Sequence, residues 1–302
     1  MSCRLFSLLL STALAFALPL SGSAATKKPS TKKKNDTTFF EKKPAPIQAY
    51  PAEPEGGELP ILEAGAALLV DAATGQILYS HNPDDPRPVA STQKLLTALI
   101  IAEEGDLNRR ATVQVSDTKA EPTKLYLKAG ETYRRFDLLN ILLVKSMNDV
   151  ALCLARDNAG SIPAFADKMN AKAQQLGMRN SHFVNPNGLP APGQYSTPRD
   201  MARVALAVYR NSTLRKMISD RDIKWYYNDG RVRTFTTTNK VLQRWPLCNG
   251  MKTGYTNAAG HCLISSATYG GRHMISLIFN DKQVWDDSYR MLAWGLAGSG
   301  AN

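Results

Sequence analysis

Ser91-Thr92-Gln93-Lys94 places a hydroxyl and an amine three residues apart at the start of an apolar-periodic run. On a helix that spacing sets both side chains on one face, roughly 5–6 Å apart at Cβ, where they can converge. A helix N-terminus favours the negative charge that develops as a serine attacks. Lys94 can take the serine proton only as a neutral amine, and burial beside another cation drives a lysine that way. Alone the pattern is weak, because Ser30 to Lys33 repeats it in a segment that no fold organises. Two further features add to it: Ser146-Met147-Asn148 after a helical run, and Lys252-Thr253-Gly254 at the start of a strand-like segment. Lys252 suits a carboxylate, Thr253 can hydrogen-bond it, and Gly254 lets a substrate backbone lie close to the strand. Ser-x-Asn has a decoy at Ser80-His81-Asn82, whereas Lys-Thr-Gly occurs once, and the ordered set is far more specific than any member.

Other chemistries lack their residues. There is no HExxH, cysteine–histidine cluster, GxSxG elbow, Walker loop or GxGxxG fingerprint. His81, His182, His261 and His273 are scattered and read as surface or packing residues. No metal or cofactor is expected, and a serine nucleophile here needs a base other than histidine.

The elements that must hold these groups follow from patterning. Ala64 to Asp71 is a continuous apolar run, a Gly75 turn follows, and Gln76 to Ser80 alternates, which together signal a hairpin. Helical spacing marks Lys94–Glu104, Phe136–Val144, Val150–Ala155 and Ile162–Leu176. Thr197-Pro198-Arg199-Asp200 carries a helix start, with a capping Thr, a Pro at the first helical position and an acid in the first turn. Strands are expected at Met251–Tyr255, His261–Thr268 and His273–Phe279, then a closing helix at Asp286–Leu296. Strands at both ends with helices between them predict an α+β fold, an antiparallel sheet flanked by helices with a mainly helical inserted subdomain.

The chain has 302 residues, 43% hydrophobic and 21% charged, enough for a sizeable core and unlike a disordered chain, a rod or a disulfide-dense scaffold. Lys and Arg outnumber Asp and Glu by 37 to 26, which favours anionic surroundings. Arg4, an apolar run from Leu5 to Leu20 and the small residues Ser21 to Ala25 form a signal-peptide pattern over residues 1–25. An extracytoplasmic location, periplasm or cell envelope, is therefore expected. Residues 26–58 carry seven Lys, several Pro and little that is apolar, and read as a flexible tether. Its Lys32-Lys33-Lys34 run suits envelope phosphates better than nucleic acid after an export signal. Residues 59–302 form the expected catalytic domain. Past the leader only Cys153, Cys248 and Cys262 remain, and they read as buried free thiols.

From about Ala64 to Leu296 the chain resembles the serine D-alanyl-D-alanine carboxypeptidases, the low-molecular-weight penicillin-binding proteins. The likeness is carried by LLVDAATGQILYSHN, ASTQKLLTAL, LKAGETYRRFDLLNILLVKSMNDVALCLA, SHFVNPNGL, YSTPRDMARVA and NGMKTGYTNAAGHCL. It implies that Ser91 forms the acyl-enzyme, Lys94 is the acylation base and Ser146 relays protons. It further implies that Asn148 holds Lys94 and the substrate peptide, and that Lys252 and Thr253, beside Gly254, bind the terminal carboxylate. The oxyanion hole would be the backbone N–H groups of Ser91 and Tyr255. Peptidoglycan stem peptides are the implied substrates and β-lactams the covalent inhibitors, with no nucleic acid or obligate protein partner. Met147 stands where the family usually has Gly, which predicts a bulkier cleft floor. The chain ends about fifty residues after Lys252, resembling forms without the C-terminal β domain, some of which cut cross-links as D,D-endopeptidases. Attachment through a C-terminal amphipathic anchor is not expected.

Two rivals share the cleft. A class A-type β-lactamase deacylates with a glutamate between the second and third motifs. The last glutamate here is Glu131, and the corresponding stretch reads His182-Phe183-Val184-Asn185-Pro186-Asn187-Gly188. A non-catalytic peptidoglycan-binding protein would not need every motif residue, and none is missing. Asp149, Lys145 and Asn257 flank the motifs and read as supporting or surface residues.

Overall fold

The computed structural model describes residues 48–58 and 60–298. Its first half runs β1 (Ala66–Asp71), β2 (Ile77–His81), α1 (Lys94–Glu104), β3 (Arg110–Thr112), β4 (Thr132–Arg134), α2 (Arg135–Lys145), α3 (Asn148–Ala159) and α4 (Ile162–Gln175). The second half runs α5 (Pro198–Arg210), α6 (Ser212–Ile218), β5 (Asp222–Tyr226), β6 (Val232–Thr236), α7 (Lys240–Arg244), β7 (Cys248–Thr256), β8 (Gly260–Tyr269), β9 (Arg272–Phe279) and α8 (Val284–Leu296).

Strands from both ends of the domain join one five-stranded antiparallel sheet in the order β2-β1-β9-β8-β7. The α+β architecture is the expected one. β1 is buried on both faces between β2 and β9, which explains why its sequence runs apolar without alternation. Its side chains still split by period two. Ala67 and Leu69 pack towards Met291 and Leu292 of α8, while Leu68 and Val70 pack towards α1 and the helical insertion. α1 is buried from Lys94 to Ile101, as a helix at the centre of a domain must be. At α5 the Thr197 hydroxyl accepts from the Asp200 N–H (3.1 Å), the cap that the sequence signals.

Several elements escape the periodicity. Hairpin β3–β4 has three residues per strand, and hairpin β5–β6 buries only Trp225 and Phe235 fully. Windows this short or this polar carry no period-two signal. Helices α6 and α7 are likewise too short to show one.

The N-terminal segment also differs from expectation. Residues 1–25 and the expected tether through residue 47 lie outside the described residues. The tether's end is packed onto the domain. The Tyr50 ring stacks on Tyr289 with centroids 4.0 Å apart, and its hydroxyl donates to Asp286 Oδ1 (2.6 Å). The Tyr50 N–H donates to the Arg244 carbonyl (3.2 Å), and the Trp245 indole donates to the Pro51 carbonyl (2.8 Å). Ordered packing thus begins by Tyr50, because one aromatic ring outweighs the Lys- and Pro-rich composition around it. Tyr50→Ala should remove about 2 kcal/mol of stability. By calorimetry that is a fall in Tm of roughly 4–8 °C for a domain of this size; an unchanged Tm would show that the packed segment contributes nothing.

Candidate active site

Ser91 sits in a tight 3-10 turn, Ala90–Gln93, that runs directly into α1. Side chains three apart eclipse on such a turn, so Ser91 and Lys94 come closer than an α-helix alone would bring them. Lys94 Nζ lies 2.7 Å from Ser91 Oγ, 2.8 Å from Asn148 Oδ1 and 2.6 Å from the Asn187 carbonyl. The amine is fully buried, and burial, then the Lys252 charge, hold it well below the usual lysine range. A neutral amine has two N–H donors and one lone pair. Charged, Lys94 donates to all three; once neutral, two N–H groups on Asn148 Oδ1 and the Asn187 carbonyl leave its lone pair for the Ser91 hydroxyl.

The second motif lies at the junction of α2 and α3. Ser146 caps α2 in the left-handed region (φ 67°), and Asn148 begins α3. Asn148 is therefore backbone-fixed: its N–H donates to the Thr123 carbonyl (2.8 Å) and its Nδ2 to the Pro122 carbonyl (2.5 Å). Met147 does not thicken the cleft floor. It is buried and packs into the core. Asp149 proves to be a supporting residue whose carboxylate accepts from the N–H groups of Leu125 (3.0 Å) and Leu127 (3.2 Å). Lys145 donates to the Thr236 carbonyl (3.3 Å), and Asn257 accepts from the exposed Tyr255 hydroxyl (3.2 Å).

The third motif lies on the edge strand β7. Lys252 is buried, its Nζ donates to the Thr253 carbonyl (2.8 Å), and burial pushes its pKa down to about 7. The Thr253 and Thr238 hydroxyls share a hydrogen bond of 2.6 Å. Gly254 serves a further purpose, which its side-chain-free type alone does not reveal. A Cβ there would lie 2.9 Å from the Ser91 nitrogen and 3.1 Å from the Thr92 nitrogen, so the glycine lets the strand approach the Ser91 turn. Ser91, Ser146, Thr238, Thr253, Tyr255 and Trp285 line one cleft of about 310 Å³. Cys262, paired with Gly254 across the sheet, also borders it; burial pushes its thiol up to about 12. All three expected thiols are free and buried. Among the described residues, no cluster of His, Cys, Asp or Glu could hold a metal ion.

The loop around Asn187 contributes a side of the site that sequence reasoning missed. Its Asn187 carbonyl contacts both Lys94 and Ser91 Oγ (3.3 Å to the latter). Gln93 donates to the Asn185 carbonyl (2.6 Å) and Thr97 to the Pro186 carbonyl (2.7 Å), pinning the loop to α1 and its turn. Gly188 adopts φ +82°, and a Cβ there would overlap the Ala90 carbonyl oxygen. Asn-Pro-Asn-Gly is a turn signature, but backbone carbonyls leave no side-chain motif. Beyond it, Ala90, Gly188, Pro190, Tyr195, Thr256 and Ala258 border a second, mostly apolar cavity of about 330 Å³.

Residues 53–283 match the family model described as D-alanyl-D-alanine carboxypeptidase (Peptidase_S11). The chain is 32% identical over 222 residues to D-alanyl-D-alanine carboxypeptidase DacF of Bacillus subtilis (strain 168), covering 72% of this chain but only 57% of that protein. It is 32% identical over 244 residues to the D-alanyl-D-alanine endopeptidase of Escherichia coli (strain K12), covering 78% of each. The solved D-alanyl-D-alanine carboxypeptidase of Mycobacterium tuberculosis H37Rv superposes with a TM-score of 0.76 at 31% identity, over 83% of this chain and 96% of that one.

The two buried amines bind protons more weakly in the folded protein than in the unfolded chain. Between the Lys252 value of about 7 and the unfolded lysine value near 10.4, the unfolded chain holds the extra protons. Folding stability therefore rises with pH across that window and is lost as pH falls towards 7. In urea unfolding from pH 7 to 10, Lys252→Met should rise less steeply than the parent protein. Equal slopes would mean that Lys252 titrates as an ordinary lysine.

Proposed function

Because the chain belongs to the D-alanyl-D-alanine carboxypeptidase family of serine hydrolases, we propose that it removes the terminal D-Ala from peptidoglycan stem peptides through an acyl-enzyme on Ser91. The observation that carries this reading is the Lys94 amine, fully buried and 2.7 Å from Ser91 Oγ. Ser91 Oγ attacks the carbonyl carbon of the penultimate residue while its proton passes to the Lys94 lone pair. The N–H groups of Ser91 and Tyr255 receive the oxyanion. Collapse breaks the C–N bond, and the proton reaches the departing amine through Ser146 in the same cleft. Water then hydrolyses the Ser91 ester and returns the proton.

Lys252 and Thr253 hold the leaving residue's carboxylate, with Thr238 steadying the Thr253 hydroxyl. An arriving carboxylate favours protonated Lys252, and that charge in turn keeps Lys94 neutral. The glycine-rich pairing of Gly188 and Gly254 against the Ser91 turn fixes the nucleophile between the two cavities. β-Lactams acylate the same serine, and the loop bearing Asn187 offers no glutamate to release them.

A second reading, cross-link cleavage as a D,D-endopeptidase, is favoured by the similarity to the E. coli endopeptidase. It uses the same acyl-enzyme with a larger leaving group. Work outside the cytoplasm is supported by the leader-like pattern of residues 1–25 and by where peptidoglycan lies.

Intact-mass spectrometry after mixing with penicillin should show one long-lived adduct, absent from Ser91→Ala. In Lys94→Met the adduct should form about 10²–10⁴ times more slowly. Rapid adduct loss with many antibiotic molecules destroyed would make the protein a β-lactamase, and no adduct on folded protein would overturn the Ser91 mechanism. Release of free D-Ala from a D-Ala-D-Ala stem peptide, against cleavage of a cross-linked dimer, separates the two peptidase readings.

A further inference from the structure

The cleft carries an aromatic wall that the peptidase step does not use. Val284 and Trp285, the first two residues of α8, line the same cleft as Ser91 and Thr253. Their place beside Thr253 follows from the contacts. Thr253 and Tyr255 share one face of β7, because side chains alternate along a strand. Across the sheet Thr253 pairs with Leu263, which belongs to the core under α8, and Trp285 packs against that same core. The Thr253 hydroxyl is bonded to that of Thr238 (2.6 Å). Lys240, two residues further on, holds its Nζ 5.5 Å from the centre of the Trp285 ring. Trp285 therefore flanks the pair of hydroxyls at which the leaving residue's carboxylate is held.

The charges beside this wall decide what can lie along it. Lys145 lines the cleft, and among the described residues no carboxylate does. Asp286, next to Trp285, is taken up by the Tyr50 hydroxyl (2.6 Å) and faces Arg244 (3.8 Å). An apolar wall among cations accepts a run of methylenes but repels a free ammonium at its end. The same chain with its amine acylated keeps the methylenes and loses the charge.

We propose that Trp285 selects the leaving residue, favouring over D-Ala a D-amino acid whose long aliphatic side chain ends in an amide. That is the chemistry of the acceptor half of a cross-link made through a diamino diacid, where the scissile nitrogen has a carboxylate beside it for Lys252 and Thr253. The inference rests on the acyl-enzyme reading and deepens its endopeptidase form. The bonds are those of the Ser91 step: Oγ–C forms, C–N breaks and the proton goes to the departing amine.

The experiment compares three peptides of the form diacetyl-Lys-D-Ala-X, with X as D-Ala, D-Lys or Nε-acetyl-D-Lys, cut by the full chain. The parent should release Nε-acetyl-D-Lys with a kcat/KM about tenfold above that for D-Ala, chiefly through a lower KM, and D-Lys without that advantage. Trp285→Ala should bring the ratio of Nε-acetyl-D-Lys to D-Ala close to one, whereas Trp285→Phe should keep most of it. Lys240→Met should narrow the gap between Nε-acetyl-D-Lys and D-Lys about two- to fivefold. Penicillin adduct formation at Ser91 shows that each variant is folded. Equal kcat/KM for all three peptides in the parent would overturn the proposal while leaving the acyl-enzyme reading intact. So would a D-Lys rate equal to that of its acetylated form, or an undiminished ratio in Trp285→Ala. A parent that cuts none of the three and forms no adduct would overturn that reading, and the proposal with it.

Discussion

Lys94 Nζ lies fully buried among Ser91 Oγ, Asn148 Oδ1 and the Asn187 carbonyl, and none of those neighbours carries a charge. An amine in that setting is cheaper neutral than charged. A carboxylate within reach would reverse the balance and end its use as a base. The acid next in sequence to the cluster, Asp149, is turned away onto the Leu125 and Leu127 backbone, which absorbs its charge. Among the described residues, the one ionic neighbour that acts on Lys94 is another lysine, which pushes in the same direction as burial.

Holding that arrangement takes three segments far apart in sequence, and each is brought in by an unusual backbone feature. Ser146 turns the chain from α2 to α3 in the left-handed region. Gly254 lets the edge strand β7 lie against the Ser91 turn, and Gly188 does the same for the loop on the other side. The sheet supplies the rigid frame: β7 hangs from β8 and β9, and β9 is locked to the N-terminal hairpin. Packing α8 on one face and α1 on the other then fixes where the Ser91 turn meets the strand.

The three motifs and the sheet were legible because side chains and periodicity carry them. Ser91, Lys94, Ser146, Asn148, Lys252 and Thr253 do converge on one region, and the expected strands sit within a residue or three of β7, β8 and β9. What stayed hidden acts through backbone. Asn187 contributes a carbonyl, so nothing in its side chain marks it. Gly254 could be flagged, but not that the Ser91 turn packs against it. Met147 seemed to face the cleft because its neighbours do, whereas the turn at Ser146 sends it into the core. Tyr50 was lost in the average composition of its surroundings.

Cys262 borders the same cleft as Ser91, one strand in from Gly254, yet burial holds its thiol at about 12. At neutral pH it is almost wholly a thiol, and thiols are poor nucleophiles beside thiolates. The intrinsically softer nucleophile is thus silenced while the intrinsically weaker hydroxyl is armed. An electrophilic probe entering this cleft meets the Ser91 hydroxyl, while Cys262, only 1% exposed, is shielded by the same burial that raises its proton affinity. Reagents chosen for sulfur should pass the site unreacted, and oxidants that disable exposed cysteine enzymes should leave this one intact.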